Sequence, residues 1–222
     1  MAQLEIACFN LASALIAQVN GADRVELCDG LEVGGTTPSL ENVIKATAFL
    51  TIDLYVMIRP RGGNFVYTDT EFAQMKKEIQ EFKRLNVNGF VFGILNEDKT
   101  VNVAQNKELV NLAEPFPCTL HRAFDEVSDA FKSLEEVIDC GFQTILTSGQ
   151  KPNVTEGANQ LAALVEKANK RIVIMPGGGL RSSNIGFIQQ ETKANWFHSS
   201  AIIDGKGIAN PNEISALKSN LK

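Results

Sequence analysis

Eight short apolar runs rich in β-branched residues, separated by segments of helical period, constrain this chain more than any single motif does. The runs fall near residues 3–8, 23–28, 54–59, 88–94, 117–122, 143–147, 172–176 and 195–199. Thr68 and Glu71 have the spacing of a capping box ahead of Phe72, Met75, Ile79, Phe82 and Leu85, which share one helical face. Asn10 is placed to cap a helix ending before Gly21, Asn102 to start another, and Ser128 or Asp129 to start the helix carrying Phe131, Leu134, Val137 and Ile138. Leu161, Leu164, Val165 and Ala168 stripe a further helix, and short helices are expected after Arg181 and Asn212. Alternating strand and helix units demand a parallel sheet covered by helices. Eight such units in 222 residues predict an α/β fold of the closed (β/α)8 TIM-barrel type, one domain over 1–222, in preference to an open doubly wound sheet. The open sheet's dinucleotide fingerprint is incomplete: Gly177 and Gly179 supply two glycines, but Ser182 stands at the third position, so no nucleotide cofactor is expected.

Strand alternation then says which side chains face the barrel axis. Leu4 and Ile6, Val25 and Leu27, Val56 and Ile58, and Cys118 and Leu120 form an outward apolar series against the helices. That turns Glu5, Glu26, Arg59 and His121 inward, with His198 and Trp196 beside them. Burying two carboxylates, a guanidinium and two imidazoles is costly unless they pair or bind something. Barrel sites form at the C-terminal ends of the strands, where these groups lie. Glu26, His121 and His198 have the chemistry of general acids or bases, and Arg59 and Arg61, spaced by Pro60, that of a bidentate clamp on phosphate or carboxylate. Gly177, Gly178 and Gly179 after the seventh run, Ser199 after the eighth and Ser148 after the sixth extend the anion signal through backbone and hydroxyl donors.

Composition narrows the partners. Hydrophobic residues make up 44% of the chain and the formal net charge is −5, which gives no basic surface for nucleic acid or a polybasic membrane patch. No apolar stretch approaches a membrane span and no signal-peptide pattern opens the chain, so a soluble cytoplasmic protein is expected. Cys8, Cys28, Cys118 and Cys140 lack metal-motif or disulfide spacing and read as reduced thiols, with Cys28 set apart by its place where a strand meets a glycine-rich loop.

GADRVELC at 21–28, GGTTPS at 34–39, IRPRGGNF at 58–65, TLHRAFD at 119–125, LTSGQ at 146–150, PGGG at 176–179 and FHSSA at 197–201 together resemble the CutC copper homeostasis family. The resemblance implies a barrel, a cytoplasmic location, a homo-oligomer with a dimer favoured, and copper handling. It places Glu26, Cys28, Arg59, Arg61, His121, Arg122, Asp125, Ser148 and His198 among the family's shared polar residues, with Asp125 added to the catalytic set and Arg122 to the anion-binding set. Asn64 stands where the family carries an acidic residue.

Three functions are then open. The first is Cu(I) binding through Cys28 and Cys8, with Met57 on the same predicted inward face as Arg59. Strict alternation turns Cys8 outward unless the chain bends near Asn10. The second is a lyase, isomerase or hydrolase-like enzyme for a phosphorylated or carboxylated metabolite. The third is a non-enzymatic metabolite-binding or scaffold protein.

Overall fold

The computed structural model describes residues 2–221. Its strands are β1 (Gln3–Cys8), β2 (Arg24–Leu27), β3 (Asp53–Met57), β4 (Gly89–Phe92), β5 (Cys118–Leu120), β6 (Thr144–Thr147), β7 (Val173–Pro176) and β8 (Trp196–Ser199). All pair in parallel, in the order β7-β6-β5-β4-β3-β2-β1-β8. A single parallel bridge between Gly177 and His198 joins the two ends, so the sheet is a nearly closed barrel. The helices are α1 (Leu11–Val19), α2 (Leu40–Phe49), α3 (Asp69–Phe82), α4 (Val103–Ala113), α5 (Ala130–Cys140), α6 (Ala158–Ala168), α7 (Ile185–Thr192) and α8 (Pro211–Ser219). None is long and apolar enough to cross a membrane.

Local chemistry explains most boundaries. Thr68 and Glu71 close both bonds of the capping box, and Asn10, Asn102 and Asp129 accept backbone N–H groups at the starts of α1, α4 and α5. Helix α2 has no strong signal: only Val43 and Ala46 are buried, while Leu40, Ile44 and Phe49 are exposed and blur the apolar stripe. Helix α8 begins ahead of Asn212 because Asn210 caps it and Pro211 occupies its first turn. Helix α7 begins at Ile185, later than Arg181 alone suggests. β3 and β5 stop short of Arg59 and His121, because Arg59 N–H turns to the Thr37 hydroxyl and His121 caps a 3-10 turn over Arg122–Glu126.

The outward residues Leu4, Ile6, Val25, Leu27, Val56, Ile58, Cys118 and Leu120 pack into one core with the helices, whereas Cys28, Tyr55, Met57 and Val91 form a separate cluster inside the barrel. Each fully buried Leu, Ile or Phe contributes about 1.5–3 kcal/mol. At the N-terminal end of the strands, the Arg24 guanidinium is sandwiched between the rings of Tyr55 and Trp196, at 4.0 and 4.1 Å. Its Nε donates to Glu5 at 2.5 Å and its Nη2 meets the Met175 sulfur at 3.6 Å. Gly89 makes room for this plug, since a Cβ there would stand 2.6 Å from the Tyr55 ring.

Candidate functional site

Above that plug a cavity of about 240 Å³ opens at the C-terminal end of the barrel. Glu26, Cys28, Met57, Arg59, His121, Arg122, Arg181, His198, Ser199 and the Gly178–Gly179 turn line it, with Phe9 and Phe65 as apolar wall. Among them are seven of the residues that alternation and the glycine and serine turns single out for catalysis or anion binding, and Arg122, which the family resemblance adds.

Glu5, Glu26 and His198 form a buried chain of charge at the base. Glu5 is fully buried, with one oxygen on Arg24 Nε and the other accepting from His198 Nδ1 at 2.7 Å. Burial works against its charge, yet Arg24 and His198 hold its carboxyl down to about 2. His198 Nε2 lies 3.8 Å from Glu26 Oε2, near enough for attraction but too far for a hydrogen bond. Burial, helped by repulsion from Glu5, pushes Glu26 up to about 7 against the pull of His198 and Arg24. Burial would lower His198, but the bond to Glu5 and the charges of Glu26 and Glu5 raise it. Glu26 Oε1 has no hydrogen-bond partner. Gly177 belongs to this base rather than to an anion cradle: a Cβ there would stand 3.0 Å from that of His198 and 2.4 Å from Leu146 Cδ1.

His121 sits elsewhere on the wall, its ring 4.8 Å from that of Phe65, with Nδ1 accepting from Ala123 N–H at 3.2 Å. Burial and the neighbouring Arg59 charge push it down to about 3, so the ring is neutral.

The arginines divide. Arg59 is 5% exposed, and its terminal nitrogens already donate to the carbonyls of Val33, Gly35 and Gly63; only Nε is unpartnered. It braces two loops and offers one N–H rather than a fork. Arg61 does not reach the cavity: it donates to Glu71, Gly62, Asn64 and Val66 over the Tyr67 ring. The two side chains diverge after Pro60, which removes the paired clamp. Arg122 and Arg181, the latter not singled out by spacing or parity, take the mouth instead. Arg122 spans from Asp125 to Ser148, and Arg181 donates to the Ser199 hydroxyl and the Leu180 and Ile202 carbonyls. Between them Gly178 and Gly179, at φ 104° and 71°, hold a turn that other residues rarely adopt. A Cβ on Gly178 would lie 3.1 Å from the Arg122 guanidinium carbon. Among the described residues, the N–H groups of Gly179 and Leu180 have no protein acceptor.

Asp125 is outside the cavity wall. Its oxygens accept from Thr147, Ser148, Gln150 and Arg122, so it staples the loop after β6 and has no proton-transfer geometry. Ser148 is part of the same staple, donating to the Lys151 carbonyl at 2.5 Å. Arg24 shares Glu26's strand parity, which is the signal that could have found it.

The base of the cavity groups three potential metal donors. Glu5, Glu26 and His198 lie within 4.8 Å of one another, but both Glu5 oxygens are committed. For a soft ion, Cys28 Sγ and Met57 Cε both approach Gly35, within 3.5 and 3.3 Å of where its Cβ would be. Cys8 does not join them. It pairs in register with Leu27, so Cys28 faces the opposite side of the sheet, and the Cys8 thiol donates to the Ile6 carbonyl within the outer core. No bend near Asn10 brings it back.

The CutC family matches residues 2–203. A CutC family protein from Parabacteroides distasonis is 45% identical over 199 residues, 89% of this chain and 82% of its own length. The human copper homeostasis protein cutC homolog is 41% identical over 198 residues, 89% of this chain and 72% of its own. The crystal structure of CutC from Streptococcus agalactiae is similar at TM-score 0.86 and 37% identity, over 90% of this chain and 99% of that one. Phosphoribosyl anthranilate isomerase from Thermotoga maritima, at TM-score 0.64 and 16% identity over 99% of this chain and 98% of its own, shares the barrel fold alone. Similarity of this extent, carried by sequence and barrel alike, makes the chain a member of the CutC family.

Proposed function

We propose that this CutC-family chain is an acid–base enzyme, lyase, isomerase or hydrolase-like, acting on a small phosphorylated or carboxylated metabolite. One observation carries the reading: Glu26 lines a cavity that also holds arginines and N–H donors, and one of its carboxylate oxygens is buried there without a hydrogen-bond partner. Such a carboxylate costs stability, which a ligand that pairs with it would offset. With its proton exchanging near neutrality, Glu26 can take or give one at working pH, and His198, oriented by Glu5, stands next to it to share the charge. Arg122, Arg181, Ser199 and the Gly178–Gly179 turn would hold the anionic group. The test is a thermal-shift screen of phosphorylated and carboxylated metabolites, followed by turnover assays on those that bind. The expected result is stabilisation by a few anions, one of which wild type converts and Glu26→Gln binds without converting. Absence of any anion effect would overturn the reading.

Cys28 and Met57 favour a second reading, capture of Cu(I) as cargo at the same cavity. Burial and the nearby Glu26 charge hold the Cys28 thiol well above its ordinary range, so its proton would leave only as Cu(I) takes its place on the sulfur, with Glu26 as the proton's acceptor. We also infer a cytoplasmic location, which four free cysteines support.

A further inference from the structure

His121 has a bonding pattern that the acid–base reading leaves unused. Its Nδ1 accepts the Ala123 N–H, and a ring nitrogen that accepts carries no proton. A neutral imidazole then has its one proton on Nε2, and Nε2 is buried without a partner. The ring cannot turn to repair this: Phe65 covers it at 4.8 Å, and a Cβ on Gly93 would be 2.9 Å from Nδ1, so the neighbouring strand is pressed against it. Neither nitrogen is free to accept a proton, which removes His121 as a general base and leaves it a fixed donor. Arg59, whose guanidinium also packs on the Phe65 ring at 4.8 Å, adds a second unpartnered N–H, at Nε. Across the same small cavity, Glu26 Oε1 is an unpartnered acceptor. A ligand that satisfies this wall must offer an acceptor oxygen to His121 and an acidic hydrogen to Glu26.

A carbonyl with a hydrogen on the adjacent carbon offers both. We propose that His121 is the electrophilic catalyst of this site: its Nε2–H bonds a substrate carbonyl oxygen while the Glu26 carboxylate removes the proton from the neighbouring carbon of a small phosphorylated ketone or aldehyde. The inference rests on the acid–base reading and specifies its substrate class. In the step, the C–H bond breaks, its electron pair becomes the C=C bond of an enolate, and the carbonyl π pair moves onto the oxygen held by His121. The proton ends on Glu26 with no net oxidation; where the carbon that lost it carries a hydroxyl, that hydroxyl's proton passes to the oxygen held by His121, the C–O of that carbon becomes the new carbonyl, and return of the Glu26 proton to the adjoining carbon completes an isomerisation. A neutral imidazole suits this role because it stabilises the enolate without protonating it. Arg122, Arg181 and the Gly179 and Leu180 N–H groups would take the phosphate.

The test is calorimetric titration of the full chain with inorganic phosphate, 2-phosphoglycolate and phosphoglycolohydroxamate, whose planar hydroxamate mimics an enolate. Wild type is expected to bind the hydroxamate about 100-fold more tightly than phosphate, in line with the value of one preorganised oxyanion donor. His121→Phe should lose that advantage while keeping its phosphate affinity, and His121→Gln, which retains an N–H, should recover part of it. A wild-type measurement guards against a variant that fails to fold. Imidazole ¹⁵N spectra should show Nε2 protonated and Nδ1 bare between pH 5 and 8, with the Nε2–H proton shifting on addition of the hydroxamate but not of phosphate. If phosphate binds and the hydroxamate gains nothing, or if the proton sits on Nδ1, His121 is not the electrophile and only this inference falls. If phosphate itself does not bind, the anion-handling reading falls with it.

Discussion

Glu5 accepts a hydrogen bond from His198 Nδ1 at 2.7 Å, and that bond aims the ring's other nitrogen at Glu26. Glu5 also neutralises Arg24 inside the barrel. Glu5→Gln therefore leaves a buried guanidinium unpaired and should cost about 3–5 kcal/mol in urea denaturation. In the folded variant the titration of His198, followed by NMR, should move down, because the raising contributions from Glu5 are gone. An unchanged His198 titration would show that Glu26 alone sets it.

Glu26 makes a signed contribution to pH-dependent stability. Its folded value is raised from 4.5 to about 7, so the folded state binds more protons between those limits. The contribution is complete below 4.5 and is lost as pH rises through 7. Glu5, held down to about 2, acts in the opposite sense: its contribution is present above 4.5 and is lost as pH falls through 2. Comparing wild type with Glu26→Gln isolates the first effect. The stability of wild type relative to the variant should fall by about 3 kcal/mol between pH 4.5 and 8, as judged by denaturant midpoints at each pH. A flat difference would place the Glu26 proton elsewhere.

The arginines should separate binding from folding. Phosphate at ~100 times its dissociation constant adds about 2.7 kcal/mol and raises the melting temperature. Arg181→Met and Arg122→Met should shrink that rise, with sulfate controls for surface exclusion. Arg59→Met, by contrast, strips three loop carbonyls of their donors and should lower the melting temperature of the free protein. Equal phosphate response in wild type and Arg181→Met would move the anion away from the β7–β8 end.

Cysteine variants address the cargo reading. In competition with a Cu(I) chelator, Cys28→Ser should weaken binding strongly, while Cys8→Ser and Cys140→Ser should not, since among these only Cys28 reaches the cavity. Equal affinity of Cys28→Ser and wild type would remove sulfur from the site.

Strand positions and the inward set of Glu5, Glu26 and His198 are legible in the sequence because a period of two, with helices outside, leaves one solution per strand. The same period argues against Cys8 as a cavity ligand. Loops carry no such period. Nothing in IRPRGG says that Arg61 turns to Glu71 while Arg59 turns inward, because a proline and two glycines decouple their directions. Nor does the TLHRAFD motif reveal that Asp125 spends its oxygens on the next loop, since its partners lie 22 to 25 residues on. Helix α2 is hidden by its exposed apolar residues, and Arg181 by its lying beyond the strand where parity ends.

The guanidinium wedged between Tyr55 and Trp196 has a further effect on traffic. With that end of the barrel stoppered, Glu26 and His198 sit at the bottom of a vessel with one opening. The way in for a ligand is then the mouth, where Arg122 and Arg181 stand. A bound ligand corks the vessel. On the acid–base reading, a proton taken by Glu26 while the ligand stays has that ligand, His198 and Cys28 as its near partners, so solvent isotope should enter product more slowly than the proton changes hands inside.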